Sequence, residues 1–144
     1  MSYTLEISPQ PAPRPRAGKT QSFNPANYTA YKEELKKKLS LLDIPKEDYR
    51  GITATFYISY DIMTEDNKRL STFHVKTPDW DNLSKPLLDA MQQAGIIKND
   101  SRIAFAVISK VMTPKLRGRI EFTLHTEEQS KSLLNLLGIE ALKD

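Results

Sequence analysis

The clearest pattern along the chain lies in residues 52–62, ITATFYISYDI, where Ile52, Ala54, Phe56, Ile58, Tyr60 and Ile62 alternate with Thr53, Thr55, Tyr57, Ser59 and Asp61. Alternation of period two over this length predicts a half-buried strand. The turn residues TEDNK and a second run, RLSTFHV at 69–75, predict that the chain doubles back as a hairpin. Residues 3–8 (YTLEIS), 103–111 (IAFAVISKV) and 119–124 (RIEFTL) predict further strands, the last two joined across the turn TPKLRG. Three stretches carry helical spacing instead. Between Asn27 and Leu42, the residues Tyr28, Tyr31, Leu35, Leu39 and Leu42 share one face, with lysines opposite. From Asp81 to Ala94, Leu83, Leu87, Ala90, Met91 and Ala94 recur three and four apart, and Gly95 predicts the C-terminal cap. Residues 126–137 predict a closing helix, with Thr126 and Gln129 at capping-box spacing and Leu133, Leu134 and Leu137 as its apolar side. The order strand, helix, hairpin, helix, hairpin, helix predicts one α+β domain over residues 1–144. Its sheet is expected to be mixed and largely antiparallel, with the helices packed mainly on one face.

Four prolines between positions 9 and 15 exclude helix and sheet interior there. Residues 11–24 are therefore expected as an exposed loop, made basic by Arg14, Arg16 and Lys19. The net charge is +3. In the last twenty residues Glu127, Glu128, Glu140 and Asp144 outnumber Lys131 and Lys143, so the rest of the chain is more basic than the total. Such a surface is compatible with nucleic acid without requiring it. The absence of cysteine excludes a disulfide framework, a zinc–thiolate site and a thiol nucleophile. The start MSYTLEISPQ has no secretory pattern and no apolar run is long enough to span a bilayer, so a cytoplasmic protein without a membrane segment is expected.

The chemistry concentrates in FHVKTPDWDNLSKPLLDAM, residues 73–91. Asp79 and Asp81 stand where the second helical pattern begins, and Pro78 holds the preceding residue extended. The ordinary use of such residues is structural: one aspartate caps the helix, and Lys85 pairs with Asp81 at i, i+4. The other use is a metal site, because two adjacent carboxylates repel and a divalent cation offsets them. Pro86 either interrupts the first turns of this helix or stands at the first position of a helix beginning later. A third acid, Asp100, lies between the helix end and the next strand, and spacing alone does not place it beside the pair.

The run KTPDWDNLSKPLLDAMQQAGIIKNDSRI resembles the signature of the RusA family of Holliday-junction resolvases: P-D-x-D-N-L-x-K, an apolar helix, and a D-D-S/A-x-I/V turn before a strand. The close match covers about thirty residues. The resemblance implies a RusA-like fold and a homodimeric, Mg²⁺-dependent endodeoxyribonuclease, with Mn²⁺ as a substitute, cutting four-way DNA junctions by paired, symmetric hydrolysis in recombination and repair. It implies Asp79, Asp81 and Asp100 as metal-holding catalytic carboxylates and Lys85 as the catalytic lysine. Asn99 stands where the family commonly has the first acid of its D-D pair.

Three carboxylates can hold one or two Mg²⁺ ions, and a lysine can neutralise charge developing on phosphorus. Phosphate contacts are expected from Arg14, Arg16, Lys19, Lys76 and Lys110. Lys110 could equally be a plain solvent-facing strand residue, and the basic loop a solvated tether or a proline-rich ligand. Trp80 is expected to pack on the core and His74 to be an ordinary strand residue. A junction-binding protein that is weakly active or inactive on the same scaffold is the alternative. A D-x-D transferase lacks its nucleotide-cradling loop, since only five glycines are present and none cluster.

Overall fold

The computed structural model describes residues 1–13, 25–60, 73–75, 78–114 and 117–140. Its elements are β1 (Tyr3–Leu5), α1 (Pro25–Ser40), β2 (Tyr49–Tyr60), α2 (Trp80–Gln93), a 3₁₀ turn (Asp100–Arg102), β3 (Phe105–Pro114), β4 (Arg119–Thr126) and α3 (Glu127–Leu136). The four strands form one sheet in the order β1-β4-β2-β3. β4 runs antiparallel to both β1 and β2, and β3 runs parallel to β2, so the sheet is mixed and largely antiparallel as expected.

Strand pairing departs from the two expected hairpins. β2 is flanked along its length by β3 on one edge, from Gly51 to Tyr60, and by β4 on the other, from Tyr49 to Tyr57. From Gly51 to Tyr57 both edges of β2 are therefore taken. The described end of that run lies against β3 instead: Phe73 stands opposite Val111, and His74 N–H donates to the Lys110 carbonyl at 3.1 Å. β3 and β4 are likewise separated by β2. The cause is α2, which lies between β2 and β3 in sequence and provides the long crossover that parallel pairing needs.

Ile52, Ala54 and Phe56 of β2 and Ile120, Phe122 and Leu124 of β4 pack into one core with Tyr31, Leu35 and Leu39 of α1 and Leu83, Leu87, Ala90 and Met91 of α2. Each fully buried Leu or Met there contributes about 1.5–3 kcal/mol of transfer free energy, which fixes the rotation of α2 and so the direction of its polar face. α3 rests instead on β2 and β4, where a Cβ at Gly51 would come within 2.7 Å of Ser130 Oγ. The Thr126–Gln129 capping box forms in both directions, at 2.9 and 3.4 Å.

Helix α2 ends as its glycine predicts. Gly95 takes φ 77°, its N–H reaches the Gln92 carbonyl at 3.1 Å, and the Ile96 N–H reaches the Met91 carbonyl at 2.9 Å. This is a Schellman closure, open to glycine because an L side chain is disfavoured at that φ. At the other end the helix begins at Trp80 and carries Pro86 in its interior, which settles the two placements the sequence leaves open. Of the expected exposed loop 11–24, residues 11–13 are described; Pro11 is exposed and Ala12 is buried. Among the described residues no helix is long and apolar enough to cross a membrane.

Candidate active site

The core packing of α2 turns its first residues toward Lys110 in the middle of β3. Asp79 occupies the N-cap position with extended backbone, φ −72° and ψ 153°, yet its carboxylate makes no capping hydrogen bond. Asp81 lies in the first helical turn. Both aspartates are exposed, and with Trp80 and Lys110 they line a cleft of about 390 Å³. Two carboxylates thus share a cleft, and that of Asp79 does not make the capping bond that its position offers.

Lys110 reaches this cleft from β3. Register places it opposite Phe56, which is buried, so it lies on the face covered by α2. The half-buried Lys110 Nζ donates to the Pro78 carbonyl at 2.7 Å. It is therefore no plain solvent-facing residue. Its ammonium enters the same cleft as the two aspartates and anchors the residue before Asp79. The expected core packing of Trp80 is not seen: the indole is 56% exposed, because the core face of α2 is filled by Leu83, Leu87, Ala90 and Met91. Lys85 is exposed. Arg14, Arg16, Lys19 and Lys76 fall outside the described residues.

Asp100 is not part of this cleft. It opens the 3₁₀ turn that follows the C-terminus of α2, while Asp79 and Asp81 stand at the N-terminus. A helix of this length spans roughly 20 Å at 1.5 Å per residue. Among the described residues, no group of three or more His, Cys, Asp or Glu side chains is placed to hold one metal ion. The Asp100 turn is braced from β2 instead. Arg102 donates to both Asp48 oxygens at 3.0 and 2.9 Å, Arg50 donates to Asp48 at 2.7 Å, and the Ala104 N–H reaches the Arg50 carbonyl at 2.8 Å. Hydrogen bonds from Arg50, then Arg102, hold the Asp48 carboxyl well below the usual carboxylate range. The Asn99 side-chain oxygen accepts from Ser101 Oγ, so this residue closes the turn.

The signal for the N-terminal half of the site was present in the sequence, in D-x-D ahead of an amphipathic helix. Lys110's place in the cleft carried no such signal, because it depends on β3 lying parallel to β2 with its even-numbered positions toward α2. As a donor set, two carboxylates in an open cleft suit a hard divalent cation that keeps several of its waters. No curated protein matches the chain. The family described as Endodeoxyribonuclease RusA matches residues 6–124, which take in α1, β2, α2, β3 and most of β4, and the chain belongs to that family.

Proposed function

We propose that this endodeoxyribonuclease resolves four-way DNA junctions by paired, symmetric, Mg²⁺-dependent phosphodiester hydrolysis, with Mn²⁺ as an alternative ion, in recombination and repair. The observation that carries the catalytic part is the shared cleft of Asp79, Asp81 and Lys110, in which Asp79 is not used as a helix cap. Asp79 and Asp81 would hold the ion. When bound, Mg²⁺ supplies Lewis acidity that activates water and offsets charge at the scissile phosphate. Lys85, one turn beyond Asp81 on the exposed face, is suited to meet a phosphate oxygen as charge develops on phosphorus. Lys110 anchors Pro78, the residue before Asp79, and adds positive potential to the cleft. Arg14, Arg16, Lys19 and Lys76 are the proposed phosphate contacts beyond the cleft.

The separation of Asp100 from Asp79 and Asp81 supports a homodimer. If all three carboxylates serve one ion, the third has to come from a second copy, and a two-fold dimer provides two equivalent sites for two opposed nicks. A DNA substrate and a chain without cysteine suit the cytoplasm. The test is cleavage of a labelled four-way junction beside linear duplex, with Mg²⁺, by wild type and Asp81→Asn. Paired nicks near the junction centre, absent on duplex and with Asp81→Asn, are expected. Wild type that binds the junction but leaves it intact with both Mg²⁺ and Mn²⁺ would overturn the catalytic assignment.

A further inference from the structure

Trp80 is the chain's one tryptophan and stands between Asp79 and Asp81 as the first residue of α2. Helical spacing puts it in line with Leu83, Leu87 and Ala90, a row that is buried from Leu83 onward. Tryptophan is highly buried on average, yet this one is 56% exposed and lines the cleft with both aspartates and Lys110. The backbone beneath it is fixed. The Lys110 ammonium holds the Pro78 carbonyl, the Leu83 N–H reaches the Asp79 carbonyl at 3.2 Å, and Ser84 Oγ donates to the Trp80 carbonyl at 2.7 Å. A flat apolar ring is thus presented to solvent from a braced helix start, beside the groups suited to a phosphate and its ion.

We propose that Trp80 is a specificity residue, whose indole stacks on the exposed face of a nucleobase at the branch point of the DNA, next to the phosphate in the cleft. The faces of an aromatic ring carry negative partial charge, and this ring shares its cleft with two carboxylates, so it does not serve a phosphate. Phosphate falls to Lys110 and to the ion that the carboxylates would hold. What a flat ring takes well is another flat ring: stacking on an aromatic side chain is open to every base, because every base has a π-face. In a continuous duplex those faces are covered by neighbouring pairs, and uncovering one costs unstacking. At the centre of a four-way junction four stacks end, so a base face is available at lower cost. Phosphate contacts position the protein but do not carry this distinction. The ring therefore supplies what Asp79, Asp81 and Lys110 cannot, a preference for interrupted stacks. The inference rests on the junction-cleavage reading for its substrate.

Because Trp80 is the one tryptophan, its emission, excited beyond the tyrosine band, reports on this site alone. The full chain is titrated with a synthetic four-way junction and with linear duplex, with Ca²⁺ in place of Mg²⁺ and a denaturing gel to check that the DNA stays intact. Binding is followed separately by the anisotropy of a dye on the DNA. Saturation with junction is expected to quench the emission, and saturation with duplex to leave it nearly unchanged. Trp80→Ala is expected to weaken junction binding about tenfold, the scale of one base–aromatic stack, with duplex affinity unaltered, and Trp80→Phe to keep most of the preference. Emission that does not respond to bound junction would overturn the proposal, as would equal quenching by duplex or an equal loss on both DNAs in Trp80→Ala. The wild-type emission needs no variant, so a folding defect in Trp80→Ala leaves the test standing. Wild type that neither prefers nor cuts a junction overturns the functional reading and this inference with it, whereas wild type that cuts junctions with a silent tryptophan overturns this inference alone.

Discussion

The Lys110 ammonium donates to the Pro78 carbonyl at 2.7 Å, and this bond ties the middle of β3 to the residue immediately before Asp79. The strand that pairs along its length with β2 is thereby also made to hold one wall of the acidic cleft. Lys110→Met removes both the anchor and the positive charge while keeping a similar length of apolar stem. Hydrogen bonds from charged donors are worth about 1.5–3 kcal/mol, so kcat/KM for junction cleavage is expected to fall roughly tenfold to a hundredfold. Single-turnover cleavage beside a urea denaturation curve separates the two effects: the rate should fall far more than the stability.

Asp79→Ala, which unlike Asn cannot cap a helix, gives the opposite balance to a capping residue. Removing a working cap costs about 1 kcal/mol. The Asp79 carboxylate makes no capping bond and stands beside Asp81, so the substitution is expected to leave stability within about 0.5 kcal/mol of wild type while abolishing cleavage. Equilibrium urea unfolding checks it, and a loss typical of a cap would return Asp79 to a structural role.

The sequence announced these two aspartates because local signals coincide there: Pro78 before them, a helical apolar period after them, and no competing turn chemistry. It announced the helices, the strands and the glycine stop at Gly95 for the same reason, since periodicity and caps are written over a few residues. Strand partners are not written locally. An alternating run fixes which side chains share a face but not which strand lies alongside, so β2 read as half of a hairpin although both its edges are filled by β3 and β4. The same gap hid Lys110's place in the cleft and the exposure of Trp80, both of which depend on contacts between distant segments.

Gly95→Ala tests the helix stop. The site has φ 77° and nothing within 4 Å of an added Cβ, so the cost is conformational and not steric. A loss of about 1 kcal/mol is expected, seen as a lower denaturation midpoint with an unchanged slope. Because the glycine is at the far end of α2 from Asp79, junction cleavage at a temperature well below the unfolding transition should be unaffected.

The Asp48 brace predicts an acid-side dependence. Asp48 is held below its ordinary range in the folded chain by Arg50 and Arg102, so its contribution is present above the unfolded value near about pH 3.9 and is lost as pH falls from there toward the depressed folded value. Asp48→Asn should therefore lower stability at pH 6 and make progressively less difference on acidification. The carboxylate is exposed, so the effect should be modest and shrink with salt. Chemical denaturation of the two proteins between pH 3 and 6 measures it, and a difference that persists unchanged at the acid end would remove the brace from the account.

The distance between Asp100 and the Asp79–Asp81 pair makes a sharper prediction about assembly. Asp81→Asn and Asp100→Asn are each expected to be inactive as homodimers. If each site draws its D-x-D pair from one protomer and Asp100 from the other, mixing the two inactive proteins yields heterodimers with one defective site carrying both changes and one site that is intact. Such a mixture should nick a four-way junction on one strand without the second, paired cut. If each protomer instead builds its whole site alone, every site in the mixture carries one change and no cutting appears at any ratio. Mixing after brief denaturation and refolding ensures exchange, and a denaturing gel of a junction labelled on opposite strands reads single against paired nicks. Restored nicking would also account for why no metal-holding group of three acids forms within one protomer among the described residues.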